Sequence, residues 1–408
     1  MPINKQSKVN NLITWLHLWL GLITGIVVVI VSLTGCLFAF QQEISNWVYK
    51  EKYFVQPPAG MTQVMPLSRL KASAQKALGA DKAITYITTY SNPERAWEFM
   101  AYKTGDLDAL TFPGEVDYYE SAFVNPYTGE VTGTLNYMTE FFTIVKYIHW
   151  SLYLSTKYGQ PIVGWSTLLF VVSLITGFIM WVPKRWNKIE KDKAFKVRWK
   201  ARFKRLNYDL HNVLGFYTVA IAFILAITGL FYAFRWMEKA LYTTFAWSTA
   251  APAYPTFVSD SSQQAAAAPL DIAFNTAVAA FPGGSRYGLS LPLATTSPVR
   301  ISAYYQKEVY FNYDVGYYDQ YSGKTLGHSL YQDKNNGEKF IDMDYDIHIG
   351  AVGGLAGKII AFLVSLVCAS LPITGFIIWW GKKKKRKTPA PYARSPKRQQ
   401  KATGSVRT

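Results

Sequence analysis

Four stretches of this 408-residue chain, 12–40, 162–182, 210–235 and 355–380, each run for at least 20 residues with almost no charged side chain. At a rise of about 1.5 Å per residue each is long enough to cross the roughly 30 Å hydrocarbon core of a bilayer. A core helix of a soluble domain is shorter, so the four read as transmembrane helices and the lipid bilayer as the chain's surroundings. Half of the residues are hydrophobic, yet the mean hydropathy is only +0.03, so apolar and polar material is segregated along the chain. The first stretch follows Lys5 and Lys8 and resembles a secretion signal in that respect. Its apolar run is far longer than a signal's and no small-residue cleavage site follows, so it reads as an anchor that stays.

The stretches are related in pairs. LHLWLG and SLTGCLFAF in the first recur as LHNVLG and AITGLFYAF in the third, carrying His17, Gly21, Thr34, Gly35 and Phe40 onto His211, Gly215, Thr228, Gly229 and Phe234, 194 positions later. YIHWSL and LITGFIMW at the second are matched by DIHIGA and PITGFIIW at the fourth, which pairs His149 with His348 and Gly177 with Gly375. The chain has five histidines, and four of them fall at these corresponding places. Histidine at a membrane boundary is a usual axial ligand of a buried haem, so the four are candidate ligands of haem iron.

Charge supplies the orientation. Lys and Arg number 2 in residues 1–12, 11 in 183–205 and 11 in 381–408, against only Glu190 and Asp192 there; the remainder carries 19 basic and 24 acidic residues. The formal net charge of +17 is therefore a topology signal, which places both termini (1–11 and 381–408) and the loop 183–209 in the cytoplasm. Because this charge flanks membrane spans, it does not suggest nucleic-acid binding. Segments 42–148 and 236–347 are then extracytoplasmic. Cys36 and Cys368 both lie in apolar stretches, so neither disulfides nor a CxxC redox or zinc motif is expected outside the membrane.

The two exported segments share an order of signals. MPLSRLKASAQKALG and APLDIAFNTAVAAFPG each place Pro-Leu before an expected capping residue, Ser68 or Asp271, and a helix of about three turns. Alternating aromatic-rich runs follow: ITYITTY, RAWEFMAY and VDYYESAFV, then YGLSLPL, VRISAYY and VYFNYDVGYY. They read as strands of antiparallel sheets with one covered face. Hairpin signals NPYTGEVTG and DQYSGKTLG match at the same offset of 194, and the stretch from Ala246 to Pro269 reads as a linker.

With these residues the chain resembles a known family. The helix-plus-sheet modules are similar to PepSY domains, and the histidine-bearing helices with LTG or ITG motifs resemble the PepSY-associated membrane-helix family, over about residues 10–382. Bacterial inner-membrane ferric-siderophore reductases belong to it. The resemblance implies an α-helical membrane protein of four transmembrane helices in two parallel repeats, each with an extracytoplasmic α+β PepSY-like domain, in the inner membrane with periplasmic loops. It also implies a ferric siderophore or other ferric chelate as substrate, Fe(II) as the released product and two haem b groups as cofactors.

With both termini on one side, the first and third helices run outward and the second and fourth inward, as parallel repeats about an axis along the membrane normal. His17 and His211 then form an inner pair, and His149 and His348 an outer pair, each suited to bis-histidine haem. Gly21 and Gly215 lie one turn past their histidines, where a larger side chain would obstruct a porphyrin. Gly35 and Gly229 reach the outer layer and Gly177 and Gly375 return to the inner one, so small residues from one helix pair are expected beside histidines of the other. Lys146 and Lys157 flank His149 and could meet haem propionates or an anionic chelate. His328, whose repeat-related position is Thr134, reads as solvated. The tyrosines of the second module (Tyr304, Tyr305, Tyr310, Tyr313, Tyr317, Tyr318, Tyr321) read as strand residues, some able to form an aromatic shelf for a bulky ligand.

Residues 353–358, GGLAGK, fail the phosphate-loop spacing, and neither GxGxxG after a strand nor HExxH is present. Electrons must then come from a quinol, a soluble reductant or another protein. The leading expectation is a dihaem reductase of ferric chelates. A haem electron carrier for a partner protein and a haem-free membrane-tethered regulator of a periplasmic enzyme are the alternatives.

Overall fold

The computed structural model describes residues 5–386 except 59, 61, 62, 253, 254, 263 and 264; parts of the expected arm 1–11 and most of the basic tail 381–408 lie outside the described residues. The helices that build the site are, in chain order, α1 (Lys5–Ala39), α2 (Leu67–Leu78), α3 (Phe141–Ser151), α4 (Thr156–Trp181), α5 (Phe203–Asp209), α6 (Gly215–Ala233), α7 (Pro269–Ala280), α8 (Asn336–His348) and α9 (Gly354–Arg386). Four spans, Lys8–Ala39, Thr156–Trp181, Phe203–Ala233 and Ala351–Gly381, have the length and apolarity to cross a bilayer. Only 22–33% of their most apolar windows is buried within the protein. The remaining surface, with Ile23, Ile26, Trp165 and Leu363 exposed, is apolar area for lipid to cover.

In the bundle α1 packs on α4 and α9, and α6 packs on the same two, so the four close a ring. The interior is built from small and medium residues, among them Ala222, Ala226, Val171, Val364, Leu174 and Leu230. The third span is not one uninterrupted α-helix: a π-helical turn, Leu210–Leu214, joins α5 to α6 and carries His211. Its counterpart His17 sits within regular α-helix.

His149 and His348 do not stand on the spanning helices. His149 lies in the last turn of a short separate helix, α3, and His348 ends another, α8; the chain then breaks before each span begins. Leu152 and Tyr153 (φ 57° and 65°) make the first break, and Gly350 (φ 78°) the second. The break lets each helix turn its histidine into the bundle end.

Outside the bundle lie β1 (Ile84–Tyr90), β2 (Trp97–Thr104), β3 (Val116–Val124), β4 (Val131–Asn136), β5 (Arg286–Ser290), β6 (Val299–Tyr304), β7 (Tyr313–Tyr318) and β8 (Thr325–Ser329). They form one eight-stranded antiparallel sheet in the order β4-β3-β2-β1-β5-β6-β7-β8. The two segments read from the sequence as separate modules are thus joined edge to edge by β1 and β5, with Ile87 opposite Leu289 and Thr88 opposite Gly288. The seam removes two exposed strand edges that separate modules would present. The hairpin glycines Gly129 and Gly323 take φ of +74° and +72°, the conformation their turns need.

Helices α2 and α7 cover one face, with Leu70 and Ala74 of α2 in one core with Ile87, Phe99, Leu289 and Ile301 of the strands. The expectation that Ser68 and Asp271 cap their own helices is corrected. Pro66 precedes α2, and Asp271 lies within the first turn of α7. The Asp271 carboxylate instead accepts from the Ser68 N–H at 2.7 Å and the Ser68 hydroxyl at 2.5 Å, so each half supplies one side of a joint contact. The opposite face rests on the bundle end through α3 and α8: Phe112 stacks on Tyr147, Tyr310 meets Tyr345, and the Tyr313 hydroxyl donates to Asp342. Lys358, 5% exposed near the start of α9, adds an ion pair to Glu43 at 2.7 Å and lies 3.6 Å from Glu308.

Candidate functional site: two imidazole pairs in the bundle

The four expected histidines come together as the two expected pairs. The ring centres of His17 and His211 are 6.2 Å apart at an interplanar angle of 75°, and those of His149 and His348 are 6.0 Å apart at 66°. Val31, whose carbonyl receives His149, lies 14 residues beyond His17 on α1, which separates the layers by about 21 Å along the helix. The His149–His348 layer is next to the sheet and the His17–His211 layer is distal to it.

Each ring is held by a Thr-Gly pair from another element. Nδ1–H of His17 donates to the Ser173 carbonyl at 3.0 Å, with Thr176 Oγ1 at 3.3 Å. Nδ1–H of His149 donates to the Val31 carbonyl at 2.9 Å, with Thr34 Oγ1 at 3.2 Å. His211 meets Thr374 Oγ1 at 2.9 Å, and His348 meets Thr228 Oγ1 at 3.0 Å. All four threonine hydroxyls donate their own proton to a carbonyl one turn back on the helix. Their oxygens are therefore acceptors, as the carbonyls are, and the proton must sit on Nδ1 of every ring. Nε2 is then the nitrogen with a free lone pair. For His149 and His348, burial lowers proton affinity below the ordinary imidazole value, in His348 to about 4, which keeps both neutral.

The glycines explain how the rings reach these anchors. A methyl group at Gly177 would stand 2.9 Å from Cε1 of His17; at Gly375, 3.2 Å from that of His211. At Gly35 it would be 3.2 Å from Cε1 of His149, and at Gly229, 3.1 Å from that of His348. These four glycines thus stand beside the histidines of the other helix pair, as expected, and the imidazoles lie against the helix backbone there. Gly21 and Gly215 differ: a methyl group would meet nothing within 4 Å at Gly21 and only Leu371, at 3.6 Å, at Gly215. These two are the glycines beside open or loosely filled space.

A cavity adjoins the sheet-proximal pair. His149, His348, Gly35, Gly229, Lys146 and Trp150 line it at the sheet end, and it runs between the spanning helices to Val28, Ala222 and Cys368. Tyr232 stands beside His348, and Asp344, fully buried, lies near the Tyr232 phenol. Burial raises the Asp344 carboxyl to about 8, so it is largely protonated near neutrality. Lys157 does not reach the cavity; it pairs with the exposed Asp108. His328 is an exposed residue of β8 whose ring packs edge-on against Phe281. Several tyrosines of the second module are taken up by packing and pairing. Tyr318 is fully buried, Tyr305 donates to Asp314, and Arg286 lies 4.3 Å from the ring centres of both Tyr304 and Tyr310.

Among the described residues no three His, Cys, Asp or Glu side chains gather around a common point. What the site offers is two imidazole nitrogens per layer. Two metal–imidazole bonds of about 2 Å on opposite sides of one atom place ring centres about 6 Å apart, which both pairs match. The threonine anchors are functional residues that the histidine spacing does not single out; the signal that marks them is the threonine before each of the four glycines.

No curated protein matches the chain. The family model of the PepSY-associated TM region matches residues 14–382, a stretch that contains both histidine pairs and all four Thr-Gly anchors, and the chain belongs to that family.

Proposed function

We propose that this membrane protein is a dihaem reductase, with haem b held between His17 and His211 and again between His149 and His348, that carries electrons across the bilayer to a ferric siderophore or similar chelate. The observation that carries the reading is the duplicated set: paired rings about 6 Å apart, each with Nδ1 anchored and Nε2 free. The four histidines would hold the haem groups through Nε2, and bound haem would supply one-electron chemistry.

The protein's own residues do the rest. Threonine hydroxyls and helix carbonyls fix tautomer and ring direction and raise the basicity of Nε2. The glycines bring each imidazole against the neighbouring helix. Two layers about 21 Å apart divide a bilayer crossing of about 30 Å. The basic segment 183–205, at the end of the bundle away from the sheet, supports placing that end in the cytoplasm and the sheet outside the inner membrane. There one electron converts hard Fe(III) to Fe(II), which the hard oxygen donors of a siderophore hold far more weakly. The donor is a quinol, a soluble reductant or a partner protein.

A reduced-minus-oxidised absorption spectrum of the purified protein tests the cofactor. Cytochrome b-type bands with about two haems per chain are expected, and their absence would leave the haem-free regulator reading. Mixing the pre-reduced protein with ferric siderophores tests the reaction. Reoxidation no faster than the chelate reacts unaided would make the chain a carrier instead.

A further inference from the structure

The geometry points to Lys146 as the group that binds one carboxylate of the ligand occupying the sheet-proximal cavity. This rests on the reading of that cavity as the place of a carboxylate-bearing cofactor or of its chelate substrate.

Lys146, His149 and Trp150 are spaced three and four residues apart on α3, so they share a face, and all three line the cavity. No aspartate, glutamate or arginine is among the residues lining it, and Lys146 is its one lysine. Lys146 has no ion-pair partner among the described residues. Its ammonium lies 4.8 Å from the Tyr147 ring centre and 5.8 Å from that of Tyr119. The acid that most influences it, Glu140, is engaged elsewhere: its carboxylate caps α3 through the Thr143 N–H and hydroxyl and accepts from Tyr49. A cation beside an apolar cavity without a counter-ion is costly, and an anion entering the cavity removes that cost.

The repeat sharpens the assignment. The residue three before His348, as Lys146 is three before His149, is Tyr345, which also lines the cavity. A packing role common to both halves would call for similar residues at both places. The single lysine therefore orients a ligand within a pair that is otherwise matched. Two ligands carry the required group: a porphyrin through its propionates and a ferric chelate through its own carboxylates.

The test uses full-length protein prepared without haem, in wild-type, Lys146→Met and Lys146→Arg forms. Each is titrated with iron protoporphyrin IX and with its dimethyl ester, which keeps the macrocycle and lacks the carboxylates. If the carboxylate is the porphyrin's, Lys146→Met weakens binding of the acid at the His149–His348 site by at least about tenfold. It leaves the ester unchanged, and Lys146→Arg restores most of the difference. Binding at the His17–His211 site is the internal control for folding. If the carboxylate is the chelate's, porphyrin binding is unaffected and Lys146→Met instead weakens binding of ferric citrate by a similar factor. Equal loss of acid and ester, or no change with either porphyrin or ferric citrate, overturns the assignment. Wild-type protein that takes up no porphyrin would refute the haem reading itself, and the ferric citrate arm would still decide the role of Lys146.

Discussion

Gly177 makes the tightest of the four imidazole contacts, and that distance sets what a single methyl group does. At 2.9 Å from Cε1 of His17 an added Cβ is closer than carbon atoms ordinarily approach, so the ring or α4 must shift. Gly177→Ala is expected to turn His17 off its Ser173 and Thr176 anchors. In the dihaem reading this appears as a shifted or lost spectrum of the sheet-distal haem, with the sheet-proximal one unchanged. Gly215→Ala is the control, since its Cβ would meet only Leu371 at ordinary contact distance. There the helix propensity of alanine favours the variant by up to about 1 kcal/mol. An identical spectral response to both substitutions would contradict the contact-based account. The histidines and glycines were readable in the sequence because spacing and repeat mark them. The use of each glycine was not, because whether a small residue admits a cofactor or an imidazole depends on which helix lies opposite.

At the level of elements, the helices and the central strands follow from periodicity. β1 and β3 cover ITYITTY and VDYYESAFV as read from alternation, and α2 and α7 follow their Pro-Leu starts. β4 and β8 carry little alternating apolar signal and are recognised only through their hairpins. The joining of β1 to β5 was not legible either, because a strand's partner is chosen among all available edges. The Ser68–Asp271 contact spans the two halves above this seam. Asp271→Ala removes the acceptor of two hydrogen bonds, one from a backbone N–H in the first turn of α2. About 1.5–3 kcal/mol is expected for a bond to a charged acceptor, read as a lower unfolding midpoint of the sheet domain with the membrane helices still folded. Simultaneous loss of both would show that the sheet and bundle unfold as one unit.

On α8, Asp344 gives a pH dependence whose sign is set by burial. Its carboxyl is raised from 3.8 to about 8 in the folded protein. The folded state therefore binds more protons than the unfolded state between those values. The stability associated with the neutral carboxyl is fully present below about 4 and is lost as pH rises toward 8. Asp344→Asn keeps the shape without the ionisation. It is expected to flatten the decline in thermal midpoint between pH 5 and 8, raising the midpoint by a few degrees at pH 8 and little at pH 5. Parallel pH profiles for the two proteins would mean that Asp344 is ionised in the fold.

Across the whole molecule, the two imidazole layers are built from complementary halves of the same helices. α1 contributes His17 to the distal layer and the Thr34-Gly35 anchor to the proximal one; the third span does the same with His211 and Thr228-Gly229. This raises the question of whether one layer can be lost without the other. The rings of different layers share no hydrogen-bond partner, and the layers are about 21 Å apart, beyond the range over which substitutions ordinarily couple. In the dihaem reading, substituting His149 or His348 by Ala is therefore expected to remove only the sheet-proximal haem. His17→Ala or His211→Ala should remove only the distal one, each leaving about half the wild-type haem by pyridine haemochrome assay. Ser173 and Thr176 are untouched by His149→Ala, so the distal anchors persist. Loss of all haem from any one substitution would mean that the spanning helices adopt this arrangement only when both layers are filled, and the independence argued from distance would fail.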